Sequence, residues 1–341
     1  MAEMIFANLI FNLLVIAFSF VILNLASNIA INNSVKVANI TRLGKTAIGF
    51  SLIAFSTSLP ELTVAFIAAF SGGAALSVGN ILGSNIVNIT LVVGLAAVLV
   101  CLNSLRKVRK NKSEPKTCLV PPFAKSELSS IHFGLFISSL IPMILIYINT
   151  ASWIVGLILI SIFIAYMYQL SHIRIPTEGE PVSKKEKDKL RHYIGLSVLG
   201  ALGVVGSAYF LVESAVTIAR GIGVPQTVIG ATIIALGTSL PEITMGLKAF
   251  LQGHPGLAFG DIIGSSFVNI TLILGVTLFV PTLIGAPISM NIGVFQNLVI
   301  FSIITNLFFW YFISREEIGW KEGAVFIFIY GLFLATTLGL I

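Results

Sequence analysis

The chain carries one polar motif twice, and this duplication constrains the fold more than any other feature. Ala54-Phe55-Ser56-Thr57-Ser58-Leu59-Pro60-Glu61 recurs as Ala235-Leu236-Gly237-Thr238-Ser239-Leu240-Pro241-Glu242. Each copy is followed by a second repeated stretch, Gly79-Asn80-Ile81-Leu82-Gly83-Ser84-Asn85-Ile86-Val87-Asn88 and Gly260-Asp261-Ile262-Ile263-Gly264-Ser265-Ser266-Phe267-Val268-Asn269. Residues 57 and 238, 61 and 242, 84 and 265, and 88 and 269 are all 181 apart, so the register never slips. Two halves built to one plan, each bringing a carboxylate into an apolar segment, have the internal symmetry of secondary transporters.

The surroundings of the motifs are those of a membrane protein. Hydrophobic residues make up 56% of the 341, charged residues 10%, and the mean hydropathy is +1.00. A span needs about 20 apolar residues, and ten such runs fall at 5–31, 45–71, 76–103, 131–148, 152–170, 193–219, 225–251, 256–284, 292–313 and 320–341. With the N-terminus outside, 19 of the 20 Lys and Arg residues lie in inner loops and only Arg220 lies outside. Basic residues collect on the cytoplasmic side, so an integral protein of the cell (plasma) membrane with both termini on the extracytoplasmic side is expected. The net charge of +6 then reflects topology and anionic lipid rather than nucleic acid. Five spans per half is an odd number, so the halves enter the bilayer from opposite sides. The expected fold is an all-α integral membrane protein of ten helices in two inverted five-helix repeats: 1–170, a cytoplasmic linker at 171–192, and 193–341.

A charge at the bilayer centre costs at least about 2.5 to 3.5 kcal/mol, which marks an intramembrane carboxylate as functional by default. Glu61 and Glu242 are the acidic residues at central, repeated positions. Pro60 and Pro241 remove the amide hydrogens that the carbonyls of Ser56 and Gly237 would accept. Irregular backbone at membrane depth survives where it is buried in protein or lines water, so the paired breaks point to a binding site. Two glutamates supply a charge that one divalent or two monovalent cations cancel, and a third monovalent ion leaves one positive charge in excess. Ions that compete for one such site and cross in turn are exchanged.

These motifs resemble those of the cation/calcium exchanger superfamily, whose two repeats each pair a Thr-Ser-x-Pro-Glu helix with a Gly-Ser-x-x-x-Asn/Asp helix. The resemblance covers nearly the whole chain and implies a secondary antiporter rather than an enzyme, working by alternating access. It implies calcium ligands at Glu61, Glu242, Thr57 and Thr238, the threonines through backbone carbonyls. Calcium takes about 6 to 8 oxygens, and two carboxylates, two carbonyls and water suit it. Neutral oxygens suited to sodium are those of Ala54, Ser58, Ser84, Asn88, Ala235, Ser239, Ser265 and Asn269, the alanines through carbonyls. Asn269 stands where potassium-dependent members carry Asp, and with Asn at 88 as well these positions add no third carboxylate, which implies potassium independence. Departures from the pattern are Ser56 against Gly237 and Ser266 against Asn85. Sodium is the favoured coupling ion; protons neutralising the glutamates, and another divalent substrate, stay open.

No cofactor beyond the transported calcium and sodium ions is expected, and no obligate protein partner. The linker is too short for a folded regulatory domain, and the N-terminus has no basic region before its apolar run, so no cleaved signal peptide is expected. Asp261 matches Asn80 and is expected near the start of its helix, as a vestibule charge. Glu213, seven residues before Arg220, is expected to form a local ion pair with it. Laying Asn24 on Glu213 gives an offset of 189, an eight-residue insertion around 32–42, and marks the first and sixth spans as paired gate or scaffold helices. Cys101 and Cys118 are expected as free cytoplasmic thiols. An intramembrane aspartyl protease needs two facing aspartates, and no second membrane-embedded Asp accompanies Asp261.

Overall fold

Long apolar stretches interrupted by glycine and proline fold as helices that stop where the chain must turn. The computed structural model describes residues 2–71, 74–111, 125–145, 153–172, 187–223, 235–283, 285, 292–315 and 318–337. In chain order the helices are α1 (Ala2–Thr41), α2 (Lys45–Thr57), α3 (Leu59–Ser71), α4 (74–111), α5 (Lys125–Leu145), α6 (Trp153–His172), α7 (Leu190–Gly221), α8 (Ala235–Thr238), α9 (Leu240–Leu251), α10 (255–283), α11 (Ile292–Ser314) and α12 (Trp320–Thr337). These helices fall on the apolar runs read from the sequence; residues 225–234 of the seventh run, and 146–148, 152, 284 and 338–341 of other runs, lie outside the described residues. Among the described residues six helices are long and apolar enough to cross a membrane, or seven if α2 and α3, bent by 45° at Ser58, form one span.

Two helix ends show how the turns are made. Gly223 after α7 and Gly253 after α9 take φ values of 82° and 79°, the left-handed conformation that ends a helix at little steric cost only for glycine. The turn at Gly253 lets α10 begin at Pro255, whose missing amide hydrogen is harmless in a first turn.

Burial sorts the helices into centre and periphery. Within their apolar windows α10 is 89% buried and α4 67% buried, against 22% for α1 and for α6. The two most enclosed helices are those carrying the Gly-Ser-x-x-x-Asn motifs. The outer helices instead expose large apolar side chains such as Phe11, Phe18, Leu199 and Phe210, as lipid contact requires.

Small residues let the central helices meet backbone to backbone, the packing mode of membrane interiors. A methyl group at Gly49 of α2 would strike the Leu257 carbonyl, and one at Gly260 would strike the Thr46 carbonyl. The same closeness joins α7 to α1, where a methyl at Gly200 would collide with the backbone of Ala26 and Ala30. Behind the first contact Phe50, Tyr166 and Phe267 pack edge-on or tilted, with ring centroids 4.8 to 5.4 Å apart.

Two expectations change here. Cys101 is disulfide-bonded, so it is not a free thiol; Cys118 lies outside the described residues. Glu213 and Arg220 are both exposed and no ion pair joins them, since each charge is better solvated than desolvated by its neighbour.

Candidate functional site

Both copies of the first motif break their helix at the serine. Ser58 separates α2 from α3, and Ser239 separates α8 from α9, with ψ near 9° and 4° respectively. The two prolines therefore stand in the first turn of a new helix rather than in a kinked interior, where the absent amide hydrogen removes nothing. The next residue, Glu61 or Glu242, falls in that same turn, at the positive end of the half-helix. Each break thus holds a carboxylate against exposed backbone amides inside the protein.

The second motif breaks regularity as well. Asn88 of α4 and Asn269 of α10 each open a π-helical turn, Asn88–Val93 and Asn269–Ile273. A third π-turn, Gly49–Ile53, leads into Ala54. Such turns mark functional positions often. Nothing in the residue types announces them, although their placement at 88 and 269 follows the repeat.

The side chains converge across the two halves. Glu61 and Glu242 are 1% and 0% exposed. Ser84 donates to Glu61 Oε1 at 3.3 Å and Ser58 donates to Glu242 Oε1 at 3.4 Å. The second oxygen of each glutamate is buried with no protein donor, as are both amide atoms of Asn88, the Ser239 hydroxyl and Asn269 Oδ1. Buried polar atoms are normally satisfied, so this set of orphaned oxygens suits cations and their water. Ser265 is fully buried, and Thr57 is buried while Thr238 is partly so. The Ala54 carbonyl already accepts the Ser58 amide at 3.0 Å and the Thr57 hydroxyl at 3.2 Å. Ala235 opens α8.

Four cross-half contacts escaped the sequence reading. Asn269 Nδ2 donates to Asn85 Oδ1 at 3.0 Å, and Asn85 Nδ2 donates to the Ser266 carbonyl at 3.4 Å. Thr238 donates to Asn80 Oδ1 at 3.3 Å, and Thr57 donates to Asp261 Oδ1 at 3.2 Å. The last contact corrects the placement of Asp261. It is the seventh residue of the Pro255–Val268 segment and only 1% exposed, so it is no vestibule charge at a helix start. The tight glycine contact between α2 and α10 carries it inward. Its signal in the sequence was the repeat itself, which keeps a polar residue at both 80 and 261.

Comparison with known proteins bears on the family and the fold. The profile described as sodium/calcium exchanger protein matches residues 11–171 and 192–339. The chain is 30% identical to the sodium/calcium exchanger MaX1 of Methanosarcina acetivorans over 95% of its own length and 97% of the relative's. It is 32% identical to the putative antiporter CaxA of Alkalimonas amylolytica over 73% and 75% of the two chains. Its fold superposes on a solved structure of the sodium-calcium exchanger NCX_Mj with a TM-score of 0.77, covering 96% of this chain and 99% of the other at 24% identity. With both motif pairs inside the matched segments, this integral membrane protein belongs to the sodium/calcium exchanger protein family.

Proposed function

We propose that the protein exchanges sodium for calcium across a cell membrane by alternating access, independently of potassium, with the ions competing at the Glu61–Glu242 site. The observation that carries this reading is the pair of buried glutamates, each held by one serine hydroxyl and each keeping one orphaned oxygen. Two such carboxylates are costly inside a bilayer unless a cation or proton compensates them. The Thr57 and Thr238 carbonyls complete a calcium shell, and Ser58, Ser84, Asn88, Ser239, Ser265, Asn269 and the Ala54 and Ala235 carbonyls serve sodium. Ala54 serves only if its carbonyl exchanges a hydrogen bond for the ion.

The architecture proposed with it is ten spans in two inverted five-helix repeats, 1–170 and 193–341, joined at 171–192, with both termini outside. The placement of 19 of 20 basic residues in inner loops supports that orientation. The paired breaks at Ser58 and Ser239 support a site where the repeats meet.

The test is calcium uptake by proteoliposomes loaded with sodium and diluted into sodium-free buffer, with and without potassium. Uptake driven by the sodium gradient, indifferent to potassium and lost in Glu61→Gln and Glu242→Gln, is the expected result. Uptake driven only by a proton gradient would replace sodium as the coupling ion, and no calcium flux under either gradient would overturn the substrate.

A further inference from the structure

The cross-half pairs Thr57 with Asp261 and Thr238 with Asn80 occupy matching places in the repeat but differ by one charge. Asp261 is a third buried carboxylate beside Glu61 and Glu242. Its Oδ1 accepts from Thr57, while its Oδ2 is enclosed and has no protein donor. The Thr57 hydroxyl is also within 3.2 Å of the Ile53 and Ala54 carbonyls, so its single hydrogen is shared and does little to offset the charge. Among the described residues no lysine or arginine pairs with Asp261: the hydroxyls of Thr57 and Ser265 face its carboxylate, and Gly49 of α2 touches its backbone. A buried carboxylate left with a free oxygen and no cationic side chain needs a mobile cation.

The place of Asp261 relative to the glutamates matters. It lies close enough to act electrostatically on Glu242, as does Glu61. Yet among the described residues no three acidic, histidine or cysteine groups converge at the spacing of a single metal ion. Asp261 is therefore beside the glutamate pair rather than a third ligand to the same ion. A lone carboxylate with hydroxyl and carbonyl neighbours suits a monovalent oxygen-seeking cation better than calcium, which takes several ligands and more than one charge.

We propose that Asp261 is a cation-binding residue of the exchanger, holding a sodium ion through its Oδ2 beside Thr57 when the glutamate pair holds two further sodium ions, and standing empty when the pair takes calcium. This deepens the exchange reading and rests on it. Three carboxylates make the three-sodium state neutral and leave the calcium-loaded state with one negative charge. Voltage then acts on the calcium limb of the cycle. Without Asp261 that sodium site is lost, and the calcium-loaded and two-sodium states are both neutral.

The experiment is equilibrium binding of calcium-45 to the purified full chain in lipid nanodiscs, titrated with sodium, for the wild type, Asp261→Asn, and Asp261→Asn combined with Asn80→Asp. Asparagine keeps the size and the acceptor for Thr57, so the single variant is expected to fold; Asp261→Ser carries the same test if it does not. The expected result is that Asp261→Asn needs about tenfold more sodium to displace calcium, as loss of one charge-assisted contact implies. The Hill coefficient for sodium drops by about one as that site is lost. Moving the carboxylate to position 80 restores part of the sodium sensitivity, which a purely structural Asp261 would not allow. Calcium displaced by sodium identically in the wild type and Asp261→Asn overturns this inference alone. Wild-type calcium that sodium does not displace overturns the exchange reading and this inference with it.

Discussion

The two halves of the site share a backbone plan and differ in their side-chain bonding. Helix breaks at Ser58 and Ser239 and π-turns opening at Asn88 and Asn269 keep the repeat's register. The bonding does not. Glu61 is held by Ser84 of its own half, whereas Glu242 is held by Ser58 of the opposite half, and Ser239, the counterpart of Ser58, holds nothing. Duplication has thus conserved where the helices break and where carboxylates enter, while leaving each half free to bond differently. Some of that difference is fixed by residue identity, as at Asp261 against Asn80. The rest, the unequal serine bonding of the two glutamates, falls on residues that are the same in both halves.

The largest effect separates those two kinds of asymmetry. Glu61→Gln and Glu242→Gln are each expected to lower sodium-driven calcium flux by about 100-fold or more, the scale of removing a buried compensated charge. If the unequal serine bonding belongs to one conformation, the two losses agree within about threefold, since each glutamate meets both environments per cycle. Calcium-45 flux that survives in one variant and vanishes in the other breaks the comparison and makes the halves chemically distinct.

A second contrast is steric and sits on paired glycines. A methyl at Gly260 would strike the Thr46 carbonyl and the Phe50 amide, whereas at Gly79, its counterpart, the nearest described atom is a Phe295 ring carbon 4.0 Å away. Gly260→Ala is expected to destabilise the fold by about 1 to 3 kcal/mol, as overpacking does, and Gly79→Ala to be nearly neutral. Thermal unfolding followed by size-exclusion chromatography reads both, and equal losses would show that α4 is packed as tightly as α10.

These glycines also show what was legible in the sequence. Apolar run length and turn residues placed the helices, because a span's length is set by the bilayer and its ends by glycine and proline. The repeated register placed Glu61 and Glu242, since a buried charge conspicuously violates its surroundings. Asp261 was misplaced because distance from a helix start was read as exposure, and depth depends on a glycine contact with another helix. The π-turns and the Asn85–Asn269 bond depend on tertiary packing that local residue types do not encode.

A smaller effect tests how α1 is tied to the motif helices. Lys248 of α9 donates to the Asn24 carbonyl and side-chain oxygen, both at 2.5 Å, and to Ser27 at 2.9 Å, and Gln252 donates to Asn28 at 2.8 Å. Position 67, 181 residues earlier, is an isoleucine, so the other half has no equivalent lysine. Lys248→Met is expected to raise hydrogen exchange across 24–28 by about tenfold, the loss of one charge-assisted tie. Unchanged exchange would mean that the α1–α7 contact alone fixes α1.

The smallest effect lies outside the bilayer, at a contact that again joins unlike partners. Lys45 donates to His254 Nδ1 at 3.3 Å, tying the start of α2 to the turn before α10, while the corresponding positions 73 and 226 are glycine and glutamine. Partial burial, and then the neighbouring Lys45 charge, hold the His254 imidazole below its usual 6.5. The unfolded chain therefore binds this proton at a higher pH than the folded one. Between the two values the unfolded state carries more protons, so stability rises with pH there and falls as pH drops below 6.5. His254→Gln should flatten that part of the pH dependence of thermal unfolding, and Lys45→Gln should shrink it while leaving the burial contribution. A wild-type curve that keeps the same slope in both variants would assign the acid sensitivity to another group and leave the contact between α2 and α10 resting on its glycines alone.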